Sequence, residues 1–113
     1  MNEYALAIER TSPSEDNLGG FSIFWENPRE YIRTYVVKRG SKGFVVSPNT
    51  LETRGKEYCT QEDAEIAAFR VALIEGMEIK EMNTTNSKKC RFLDRIGDIP
   101  DDYRLGGRAT ATL

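Results

Sequence analysis

Tyr31, Arg33, Tyr35 and Arg39 all occupy odd positions of one segment, and Lys42 follows in the turn beyond it. On a strand, alternate residues share a face, so this spacing predicts rings and guanidinium groups along one side. Rings stack on bases and guanidinium groups neutralise phosphates, which is the chemistry of a nucleic-acid-binding sheet surface. The competing reading is a sheet face whose long amphipathic side chains cover apolar surface.

A second set lies in the segment TQEDAEIAAFRVALIEG, residues 60–76. Glu62, Asp63 and Glu65 form an acidic cluster there, the kind that docks on a basic groove of a partner protein. Ile66, Phe69 and Leu73 share one helical side and predict an apolar patch that needs a cover. That cover is expected from residues 90–96, from a protein partner, or from a second copy in a homodimer. Trp25 adds an aromatic anchor on a strand.

Other chemistry is excluded by composition. The chain has no histidine, which removes Ser-His-Asp and Cys-His catalysis and any His-bearing zinc site. Its two cysteines, Cys59 and Cys90, cannot supply a four-cysteine site and are expected to be reduced, buried thiols. The run RGSKG, residues 39–43, lacks the spacing of a phosphate-binding loop and suits a hairpin better. No catalytic residues, no enzyme activity, no metal and no cofactor are therefore expected.

These residues must be positioned by a small set of elements. In 113 residues one domain is expected over 1–105, with 106–113 as a flexible tail. Alternation predicts strands at Glu3–Arg10, Phe21–Glu26, Tyr31–Arg39 and Phe44–Ser47, and a fifth short strand at Lys56–Cys59. Thr60 is the expected N-cap of the main helix, and Gly76 its expected stop. Ala64, Ala67, Ala68, Val71, Ala72 and Ile74 form one broad side of mostly small residues, suited to lie on the sheet. Residues 77–82 read as either helix or strand. Cys90–Ile96 reads as a short second helix anchored by Phe92, Leu93 and Ile96.

The fold class is thus α+β: an antiparallel meander of three to five strands, then one main helix packed on the sheet, with a short second helix or strand near the C-terminus. The strand–strand–strand–helix order resembles the layout of AP2-type DNA-binding domains in topology alone. That likeness implies a sheet able to enter a DNA groove.

Charge is unevenly spread behind a net value of −2. Residues 29–56 carry seven basic and two acidic side chains, and residues 57–82 carry two basic and seven acidic ones. Attraction between these segments inside the fold competes with a functional reading. No apolar run is long enough for a membrane span and the first residues lack a leader pattern, so a cytoplasmic protein with no membrane partner is expected. Two functions follow. One is a small non-catalytic protein-binding accessory or inhibitor module, such as phages encode against host defence systems. The other is a nucleic-acid-binding module using the basic-aromatic strand.

Overall fold

The computed structural model describes the backbone of residues 2–26, 28–84 and 88–94, and the side chains of these apart from 2–4, 88, 89 and 94. The elements are β1 (Asn2–Thr11), β2 (Gly20–Trp25), β3 (Glu30–Arg39), β4 (Phe44–Ser47), α1 (Gln61–Met82) and β5 (Lys88–Asp94). They build one sheet in the order β4-β3-β2-β1-β5 with α1 across one face. The first four strands form an antiparallel meander, and β5 lies parallel to β1. β4 and β5 lie at opposite edges of the sheet, and α1 supplies the long connection that carries the chain from one edge to the other. The three-strands-then-helix layout therefore describes only part of the sheet.

Alternation fixes what each strand buries. Leu6 and Ile8 of β1, Phe21 and Ile23 of β2, Tyr35 and Val37 of β3, and Val46 of β4 all point to the helix side and enter one core. Phe21 meets Phe69 of α1 edge-on, with ring centroids 5.3 Å apart. Each fully buried large side chain of this kind contributes roughly 1.5–3 kcal/mol relative to exposure.

The helix starts where expected. The Oγ1 of Thr60 accepts from the Asp63 N–H at 3.0 Å, filling one of the free donors of the first turn. It does not stop at Gly76. That glycine is buried inside the helix, and a Cβ built on it would lie 2.5 Å from Cζ of Phe92 on β5. Gly76 is there for close approach of an aromatic ring, not for a left-handed cap. The helix runs on to Met82, so residues 77–82 belong to it. Its end is closed by Asn83, whose Nδ2 donates to the Ile79 carbonyl at 2.8 Å, and by the Thr84 hydroxyl, which donates to Lys80 O at 2.8 Å.

Three further expectations are corrected. The described part of Cys90–Ile96 is strand, not helix, because β1 offers a free edge that pairs it from Lys88 to Asp94. The short strand at Lys56–Cys59 reduces to a single bridge between Tyr58 and Phe44. Cys90 is buried as expected, and burial raises its thiol pKa, but Cys59 is exposed beside the helix cap. The tail expected at 106–113 lies outside the described residues. Among the described residues no helix is long and apolar enough to cross a membrane.

Candidate functional site

One irregularity in β3 decides how the basic-aromatic segment is displayed. Against β2, Ile23 pairs with Arg33 but Phe24 pairs with Tyr31, so Ile32 is an extra residue at a bulge. The extra residue inverts the alternation. Arg33 and Tyr35 stay on the helix side with Ile23 and Phe21, while Tyr31 turns to the other face beside Phe24. The structure therefore does not bring Tyr31, Arg33, Tyr35 and Arg39 together on one exposed surface.

Tyr35 is buried, and its hydroxyl donates to Glu75 Oε1 of α1. Its pKa is pushed up to about 12, first by burial and then by the hydrogen bond to the Glu75 carboxylate. Arg33 Nε lies 3.5 Å from the other oxygen of Glu75. The basic middle of the chain thus meets the acidic helix inside the fold. Arg10 does the same from β1, with Nη1 3.9 Å from Glu65 Oε1. Arg39 sits over the Phe44 ring at 5.6 Å. The Lys42 N–H is tied to Glu57, whose carboxylate also accepts from the Gly43 N–H and the Ser41 hydroxyl. These donors, the Lys42 N–H foremost, hold the Glu57 carboxyl below its usual range.

The residues expected to meet a protein partner separate as well. Ile66 and Phe69 are fully buried and Leu73 is half-buried against the same core. The bulky side of α1 already has its cover, and Phe69 lies on the sheet, where the alanine side was expected alone, while Ile74, expected on that alanine side, is exposed. An open Ile66/Phe69/Leu73 patch, and a homodimer interface built on it, is not what this surface offers. Glu62 is exposed, Asp63 is half-exposed in the capped first turn, and Glu65 is engaged by Arg10 and by Gln61 Nε2 at 3.2 Å. Trp25 is half-buried at the end of β2, packed against the core.

What the structure does assemble lies on the sheet face turned away from α1. Ser22 and Thr34 pair directly across β2 and β3, and Thr11 of β1 lies diagonal to Ser22 on the same face. Their hydroxyls form a chain: Thr11 Oγ1 bonds Ser22 Oγ, which lies 2.9 Å from Thr34 Oγ1. Next to this ladder Phe24 is fully buried although no element covers it among the described residues. Among the described residues its cover is made of side chains. The Arg29 guanidinium stands 4.2 Å from the centre of the Phe24 ring, and the Tyr31 ring packs at 5.4 Å. Arg29 Nη1 donates to Glu9 Oε2 at 2.9 Å and to the Tyr31 hydroxyl at 2.8 Å, which pins the cover from two strands. A shallow groove of about 440 Å³ runs along the ladder, lined by Glu9, Thr11, Ser22, Tyr31 and Thr34 among others.

Sequence reasoning found Tyr31 but missed Arg29, Glu9 and the ladder. The hydroxyls do fall on the polar phase of their strands, and that signal is visible in the sequence. Lining them up needs the strand register, which is not. Among the described residues no three acidic or thiol side chains converge to hold a metal. No family model, no curated protein and no solved structure matches this chain.

Proposed function

We propose that the chain is a small non-catalytic protein-binding module, of the accessory or inhibitor kind, that meets its partner with the open face of its sheet. The observation that carries this reading is the pinned Arg29–Tyr31 pair beside the hydroxyl ladder. Arginine and tyrosine are the residue types that concentrate binding energy at protein interfaces. Tyr31 is 56% exposed, yet its hydroxyl is already held by Arg29. Side chains fixed before binding lose little further freedom on binding. Further along the same face Thr34, Val36, Val45 and Ser47 are half-exposed and small, which keeps it flat and of mixed polarity, as an interface rim is.

The test is capture from the native host, with mass measurement of the captured species. Tyr31→Ala and Val36→Arg abolish capture while circular dichroism shows the fold retained, and Glu62→Lys does not. Capture lost with Glu62→Lys alone moves the interface to the acidic end of α1. The nucleic-acid alternative has its own signature: binding to generic duplex or single strands that falls steeply with salt and is lost in Arg39→Glu. That result, without protein capture, overturns the proposal.

A further inference from the structure

The outward side of α1 carries a pattern that neither the core nor the open sheet face uses. Arg70, Ile74, Met77 and Glu81 are all exposed, Ile74 by 44% and Met77 by 52%. Their spacing of four, three and four residues keeps them within about 60° of one another on the helix, a stripe about 16 Å long. The stripe reads basic, apolar, apolar, acidic. It is symmetric about its midpoint, with each apolar residue matched by the other and the arginine matched by a glutamate.

We propose that this stripe is a self-association surface, on which α1 of a second copy lies antiparallel. In that arrangement Arg70 faces Glu81 of the second copy and Ile74 faces Met77, and the two-fold axis repeats both contacts. Oppositely charged ends then meet twice, and the apolar centre is closed from water. A parallel arrangement would set Arg70 against Arg70 and Glu81 against Glu81, which like charges oppose. The charge order therefore selects both the occupant and its direction. Two apolar residues per copy make a small contact, so the association is weak and reversible. It leaves the open sheet face free and does not depend on the reading proposed for it.

Sedimentation velocity from about 10 µM to about 1 mM tests the idea, since weak association is populated in that range. The wild type shifts from monomer toward dimer as concentration rises, and less so in high salt. Arg70→Glu and Glu81→Arg each hold the protein monomeric, because each sets like charges face to face. The two substitutions combined in one chain restore the dimer, which a change acting only on folding would not do. A wild type that stays monomeric to about 1 mM overturns the proposal. So does a dimer that survives both single reversals, or a double variant that fails to recover.

Discussion

On the helix side of the sheet, Phe21 and Ile23 of β2 are fully buried beneath α1. On the other side of the same strand, Ser22 shares its hydroxyl with Thr11 and Thr34, and Phe24 is closed off by Arg29 and Tyr31. The covered face uses large apolar side chains and one secondary-structure layer. The open face uses small side chains of mixed polarity and, over Phe24, a cover made by Arg29 and Tyr31. Burial by an element is continuous and removes much apolar area from water. Burial by a guanidinium and a phenol is local and leaves hydrogen-bonding groups at the surface. The first arrangement stabilises the fold, and the proposed interface rests on the second.

That contrast sets the order of expected effects. Phe69→Ala empties the centre of the covered face and is expected to cost about 3–5 kcal/mol in urea unfolding. A cost below about 1 kcal/mol would mean that α1 is not the main cover. Tyr35→Phe removes the hydrogen bond to Glu75 and is expected to cost about 1–2 kcal/mol at neutral pH. It also changes the alkaline response. The folded pKa of Tyr35, about 12, lies above its ordinary value of 10.0, so burial of the neutral phenol favours the folded state below pH 10. That contribution is lost as pH rises toward 12. Unfolding midpoints measured from pH 8 to 12 are expected to fall less steeply in Tyr35→Phe than in the wild type.

Gly76→Ala sits where α1 meets β5 and combines two opposed effects. Alanine gains about 1 kcal/mol of helix propensity. Its methyl group must displace the Phe92 ring, and overpacking of this kind costs about 1–3 kcal/mol. The expected net is a loss of about 1 kcal/mol, and a gain in thermal stability would show that Phe92 yields easily. Thr34→Val breaks the open-face ladder while keeping shape, and is expected to change stability by less than about 1 kcal/mol. If it costs as much as Phe69→Ala, the open face is a second core and its availability for binding is in doubt.

Local signals in the sequence carried most of the fold. The Thr60 cap, the alternation of Leu6 and Ile8, and the Phe44–Ser47 return strand were all readable, because each depends on neighbours a few residues apart. Non-local relations were not readable. Cys90–Ile96 reads as helix from its own apolar spacing, and its described part is strand because β1 lies beside it. Gly76 reads as a stop, and is interior because Phe92 needs the space. The bulge at Ile32 has no signature in residue type, yet it alone separates Tyr31 from Arg33 and Tyr35. The candidate site was therefore mostly illegible. Its residues come from β1, β2, the turn after β2, and β3, and only register brings them together.

The parallel pairing of β1 with β5 also sets an order of events. Asn2 pairs with Lys88 and Ile8 with Asp94, so β1 gains its second neighbour only after β2, β3, β4 and α1 have been synthesised. Until then β1 is an edge, with unpaired backbone groups on the side that β5 will fill. Contacts so distant in sequence slow folding, because loop closure must come before they form. During that interval the nascent sheet ends in a template for strand addition, and β5 closes it only after α1 has crossed from β4 to the far side.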